Sequence, residues 1–143
     1  MAINIKYYIV IGLLLSVMLC GCKQSEDITG EAVAEIQNII LSQDGSFSIE
    51  DCKNRGLNDK VLMLESKYCG HCKVTLPMFK EACAEKGVNP IILDVSEPEQ
   101  RKQMESHGIS IRFTPTFVFG CDYYMGSKQK QEYLQLLDKF LND

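Results

Sequence analysis

Tyr68-Cys69-Gly70-His71-Cys72-Lys73 is the stretch of this chain whose residue types and spacing could do chemistry. Two cysteines separated by two residues follow an apolar run, Val61-Leu62-Met63-Leu64, and open a helical pattern, which makes them a dithiol at a helix N-terminus. Unpaired backbone N–H groups and the positive end of the helix dipole favour a thiolate there, and the thiolate is the nucleophile in disulfide exchange. Cys69, first in the motif, is the expected reactive sulfur. Cys72, one turn further in, is placed to attack a mixed disulfide on Cys69, closing a Cys69–Cys72 disulfide and freeing the partner. The other chemistry open to such a pair is half of a zinc site, which needs a second Cys or His pair at ligand spacing. The sequence has no second C-x-x-C and no H-x-x-x-H, and its one other histidine is His107.

With Pro77 five residues after the second cysteine and Thr114-Pro115-Thr116 further on, the stretch resembles the thioredoxin superfamily, and its Cys-Gly-His-Cys core is similar to that of protein disulfide isomerase domains. The resemblance covers roughly residues 59–143. It implies an α/β, thioredoxin-like fold: a central mixed β-sheet flanked by helices, here with an extra N-terminal helix. It also implies a thiol–disulfide oxidoreductase acting on protein thiols and disulfides as a monomer, with no cofactor and no metal. A histidine between the cysteines leans the expectation toward oxidation or isomerisation, on a scale running from about −270 mV for thioredoxin to about −180 mV for protein disulfide isomerase. Two other readings stay open. One is a reductant fed by a membrane redox partner, as in cytochrome c maturation; the other is a binding or chaperone module that keeps the dithiol as a staple.

The resemblance gives roles to single positions. His71 would stabilise a thiolate on Cys69, the alternative being an exposed loop histidine without a role. Pro115 would be the family's cis-proline, presenting the Thr114 backbone to an extended substrate, against an ordinary trans proline at a strand start. Tyr68 and Gly70 would belong to the substrate-facing surface. Many relatives bury a carboxylate six residues before the first cysteine to take the resolving thiol's proton; Met63 stands there. Glu65 has the same strand parity and is the nearby substitute, or else a solvated strand-end carboxylate. Lys73 is assigned no catalytic role. The segment Gly108 to Thr114 is about two residues longer than the usual connection into this proline.

The elements that must hold these residues read as follows. Met1 to Lys6 is short and basic, Tyr7 to Leu19 is apolar, and Leu19-Cys20-Gly21-Cys22 looks like a bacterial lipobox, so residues 1–21 are expected to be a signal peptide and Cys22 the lipidated first residue. An uncleaved anchor is the alternative, and either places the domain outside the cytoplasm, at the membrane. Residues 22–30 read as a polar tether, on the order of 30 Å when stretched. Residues 31–143 form one domain. Ala32, Val33, Ile36, Ile39 and Ile40 recur at helical spacing, predicting a helix from Glu31 to Ser42. Ser48-Ile49-Glu50-Asp51 opens a helix that Gly56 can close. Val61 to Glu65 is a buried strand feeding the dithiol. After Cys72, the apolar positions Leu76, Phe79, Ala82 and Cys83 make a stripe for the sheet, with a kink expected at Pro77. Pro90 to Val95 is the next strand. Ser96 and Glu99 form a capping box for a helix reaching His107-Gly108. A hairpin over 116–125 and a last helix with Leu134, Leu137, Phe140 and Leu141 on one face complete the chain.

The net charge of −4 offers no footprint for nucleic acid and argues against a strongly acidic partner. Beyond the motif and the lipobox, Cys52, Cys83 and Cys121 remain. Given the implied fold, Cys83 and Cys121 could pair at the pole opposite the dithiol, or Cys83 could be a plain buried residue. Since three is odd, at least one thiol is left over.

Overall fold

The computed structural model describes residues 36–143. The expected signal peptide, the lipidation site Cys22, the tether and the start of the Glu31–Ser42 helix lie outside the described residues.

The strand feeding the dithiol, β3 (Val61–Glu65), lies inside a five-stranded sheet. It pairs in parallel with β4 (Ile91–Asp94) and antiparallel with β6 (Thr116–Phe119). Beyond β6 lie β7 (Asp122–Met125) and the two-residue edge strand β2 (Gly45–Ser46). The turn between β6 and β7 falls at Gly120-Cys121, and Gly120 takes the left-handed conformation (φ 59°) that a side chain would oppose.

Alternation along β3 divides the interior into two layers. Val61 and Met63 face α2 (Gly70–Glu85) and α4 (Lys130–Asn142), joining Phe79, Ala82, Cys83, Phe117, Tyr133 and Leu137 around Cys72. Leu62 and Leu64 face the opposite way. They pack with Cys52 of α1 (Ile49–Asn54), Met104 of α3 (Pro98–Glu105), and Leu41 and Ile109 from two short strands, β1 (Ile39–Leu41) and β5 (Ile109–Ile111). All four side chains of β3 up to Leu64 are buried, as a strand covered on both faces requires. This is the α/β class with a mixed sheet flanked by helices that the resemblance implied.

Helix starts and stops follow local chemistry. Ser48 caps α1 by accepting the Asp51 N–H at 3.1 Å, and Gly56, at φ 62°, lets the chain turn away. α2 runs through Pro77 without interruption. Gln129 and Glu132 cap α4 reciprocally. The capping box expected from Ser96 and Glu99 is not made. Pro98 opens α3 with Glu97 at the cap position, and the Ser96 hydroxyl and N–H both turn back to the Asp94 carboxylate.

The helix expected up to Ser42 is also corrected over its described part. Ile39–Leu41 is a strand, parallel to β5 in the register Ile39↔Ile109. Two adjacent β-branched residues favour an extended backbone, and β5 supplies the partner that a helical stripe would have lacked. Ile36 and Ile40, both on that supposed apolar stripe, are exposed. β5 lies within the segment from Gly108 to Thr114 that leads into Pro115.

Candidate active site

β3 ends at Glu65, and Ser66 to Tyr68 turn the chain into α2. The Ser66 carbonyl accepts the Cys69 N–H at 2.9 Å and its hydroxyl accepts the Tyr68 N–H at 3.2 Å. Cys69 is thereby left as the N-cap residue of α2, with extended backbone (φ −87°, ψ 111°). A helix N-terminus has orphan N–H groups, normally met by an oxygen of Ser, Thr or Asp. Here a sulfur meets one: Cys69 Sγ accepts the Cys72 N–H at 3.1 Å. An anionic sulfur accepts that bond better than a neutral one, so the cap geometry itself favours the thiolate.

Cys72 lies fully buried beneath, in the layer with Met63, Phe79 and Phe117, and is disulfide-bonded to half-buried Cys69 with their Cα atoms 5.3 Å apart. One sulfur is thus reachable and the other is not. On the far side of Cys69, the Thr114 carbonyl oxygen lies 3.4 Å from Sγ, and the Thr114–Pro115 peptide is cis. That loop is held at several points. The Arg112 N–H donates to Leu41 O at 3.1 Å, the Thr116 hydroxyl to Phe113 O at 2.8 Å, and the Gly126 N–H to Pro115 O at 2.8 Å. The dithiol and the Thr114-Pro115 pair, 45 residues apart in sequence, are brought together.

The remaining expected positions distribute unevenly. His71 and Lys73 are exposed on the first turn of α2. Tyr68 is exposed beside Cys69, with the Lys67 ammonium 5.3 Å above its ring and paired to Glu97. Gly70 sits in open space; a Cβ there would touch nothing within 4 Å. Met63 fills the place of the usual carboxylate with a fully buried apolar side chain. Glu65 is part-buried at the strand end on the same parity, where burial and then the Asp94 carboxylate push its acid up, against a smaller pull from Lys80.

Beneath α2, the Thr75 hydroxyl bonds Ser127 at 2.7 Å, and Tyr133 O accepts the Lys128 N–H at 2.9 Å. Burial pushes the Tyr133 phenol up to about 12, so it stays a neutral anchor. Among the described residues no group of three or more His, Cys, Asp and Glu could hold a metal ion, and no helix is long and apolar enough to cross a membrane.

A second disulfide joins Cys52 of α1 to Cys121 in the β6–β7 turn, with Cα atoms 5.3 Å apart. Of the two readings left open for Cys83, pairing with Cys121 or a plain buried residue, the layers give the second. Cys83 lies in the α2–α4 layer, whereas Cys52 is in the opposite one and Cys121 packs against it. Among the described residues Cys83 is the free thiol; it is buried, and burial pushes it up to about 12.

The sequence reading missed Arg55. Its side chain is buried and serves four partners: Nε to Asp51 at 3.0 Å, Nη1 to Gly108 O at 2.5 Å and His107 O at 3.2 Å, and Nη2 to Gln37 O at 3.0 Å. This one residue ties the segment before β1, α1, and the turn entering β5, which continues into the Thr114 loop. No sequence signal marked it; the close approach shows only in the fold, at Gly108, where φ is 64° and a Cβ would lie 2.6 Å from Arg55 Nη1.

No family model and no curated protein matches the chain. Among solved structures, the oxidised thioredoxin from Plasmodium falciparum is similar at 21% identity over 73% of this chain and 98% of that one, with a TM-score of 0.44.

Proposed function

We propose that this protein is a thiol–disulfide oxidoreductase acting on exported proteins from a membrane-anchored position outside the cytoplasm, with a lean toward oxidation or isomerisation. The observation that carries the reading is the environment of Cys69: a reachable sulfur capping a helix N-terminus, bonded to a buried sulfur one turn in and facing the Thr114 carbonyl.

The exchange balances as follows. A substrate thiolate attacks Cys69 Sγ, the Cys69–Cys72 bond breaks, and Cys72 leaves as a thiolate that takes a proton. A second substrate thiolate then attacks its own sulfur in the mixed disulfide and expels Cys69. The substrate has lost two electrons and two protons and the protein dithiol has gained them; a membrane or soluble disulfide of the oxidant class must take them back. Run in reverse, the same steps reduce a substrate. The Cys72 N–H and the α2 dipole hold the anion on Cys69, and a charged His71 imidazole would add to this. Glu65 is the carboxylate available to exchange a proton with Cys72, and Tyr68, Gly70, Thr114 and Pro115 frame the space a substrate backbone would occupy. The anchor rests on the lipobox at Cys22 and the polar tether alone.

Turnover of scrambled ribonuclease or reduction of insulin, lost in Cys69→Ser, is the test. Wild-type activity equal to that of the variant would leave only a binding module. The equilibrium potential against glutathione decides direction: above about −200 mV supports an oxidant or isomerase, and below about −250 mV makes the protein a reductant in an electron relay.

A further inference from the structure

The chain as a whole is acidic, yet the segments that frame Cys69 are not. Ser66 to Leu76 contributes Lys67, His71 and Lys73, Arg112 to Thr116 contributes Arg112, and Gly126 to Gln129 contributes Lys128; none of the three holds a carboxylate. The three are physically joined: Cys69 Sγ is 3.4 Å from Thr114 O, and Thr75 of α2 bonds Ser127. Carboxylates that reach the same end of the sheet are engaged. Glu97 pairs with Lys67, Asp94 is bound by Ser96, and Asp44 accepts the Met125 N–H at 2.6 Å. Glu65, at the end of β3, is part-buried. Lys73, on the first turn of the helix that Cys69 caps, and Arg112, two residues before Thr114, are left exposed.

The same rim carries large apolar side chains in the open: Tyr68 is 80% exposed, Val74 67% and Phe113 56%. Each is within five residues of Cys69 or adjacent to Thr114 in sequence.

We infer that this surface selects polypeptide segments in which the reacting cysteine is flanked by acidic and apolar residues. The inference rests on the oxidoreductase reading. Charge complementarity chooses the occupant: the net negative charge of the whole protein would repel acidic segments at long range, but charges beyond about 10 Å are screened at 0.1 M salt, so at contact the exposed Lys73 and Arg112 attract acidic segments and repel basic ones. The exposed aromatic rings accept the apolar neighbours.

The test is a single-turnover assay with the pre-reduced protein and three short peptides. Each carries one internal disulfide, flanked by Asp-Leu, Ser-Leu or Lys-Leu, and the products are trapped by acid and counted by mass. At about 0.01 M salt the Asp-flanked peptide is expected to react on the order of tenfold faster than the Lys-flanked one. At about 1 M, where the screening length is about 3 Å, the ratio should fall to the intrinsic value of the peptides. Lys73→Glu with Arg112→Glu, both at exposed positions, should invert the low-salt order. Equal rates at low salt, or an order indifferent to the double substitution, would overturn this inference alone. No exchange with any peptide would overturn the oxidoreductase reading and this one with it.

Discussion

Among the described residues there are two disulfides with equal Cα separations and opposite circumstances. Cys69–Cys72 closes a ring across three residues at a helix N-terminus, with one sulfur half-exposed and accepting a backbone N–H. Cys52–Cys121 spans 69 residues, with Cys52 fully buried and Cys121 packed on the same apolar layer. A short ring constrains the unfolded chain little, so its bond is free to be made and broken without loss of the fold. A long loop constrains it strongly, so that bond stabilises. Placement, rather than bond chemistry, divides reactivity from stability.

The largest effect expected follows directly. Replacing Cys52 and Cys121 together by Ala should lower unfolding stability by about 4 kcal/mol, the chain-entropy value for a loop of roughly 70 residues. Replacing Cys69 and Cys72 together should abolish exchange while shifting the urea midpoint far less. Equal midpoint shifts for the two double variants would remove the distinction.

Arg55 sharpens the comparison, because it sits one turn past Cys52 on the same edge. Arg55→Met would remove the side-chain donor from the part-buried carbonyls of Gln37 and His107 and leave buried Gly108 O with the Ile39 N–H alone, at a cost of about 2 kcal/mol. Because β5 runs from this clasp into the Thr114 loop, hydrogen exchange should rise along Ile109–Ile111 as well as at residues 37–41. A variant that loosens only α1 would disconnect the clasp from the site.

These two edges also mark where sequence reading stopped. The dithiol, its strand and its helix are legible because a motif, an apolar run and a 3.6-residue period all lie within one window. The Thr-Pro-Thr site is legible through resemblance. Ile39–Leu41 as a strand is not, since its partner lies 70 residues away and the isoleucines fit a helical stripe equally well. The Cys52–Cys121 pairing depends on which face of the sheet each sulfur meets, and that is settled only when the strands are stacked. Arg55 reads as an ordinary surface residue until the chain returns at Gly108.

Cys83, on the opposite layer from the Cys52–Cys121 bond, sets a third case. Its thiol is pushed up to about 12 by burial, so almost none is thiolate at neutral pH. After reduction of the dithiol, iodoacetamide should modify Cys69 and leave Cys83 untouched until denaturant is added. Cys83→Ala should cost about 1 kcal/mol for the small volume lost. Rapid native labelling at Cys83 would mean that α2 opens from the sheet.

Glu65 gives the smallest and most discriminating effect, because it links the two properties in one side chain. Burial and the neighbouring Asp94 raise its acid above the ordinary carboxylate value, so between that value and the raised one the native state holds a proton the unfolded chain has released. Stability from this group is therefore complete below the ordinary value and is lost as pH rises through the folded one. Glu65→Gln has no such proton to release, so its urea midpoint should fall less than that of wild type on going from pH 4 to pH 7, and at pH 7 it should be at least as stable. If Glu65 also exchanges protons with Cys72, the same variant should accumulate the mixed disulfide on Cys69, since the resolving thiol would ionise more slowly. A flattened stability profile without that accumulation would leave Glu65 as a strand-end carboxylate and remove it from the chemistry, while both effects together would place the proton's acceptor two residues beyond the position held by Met63.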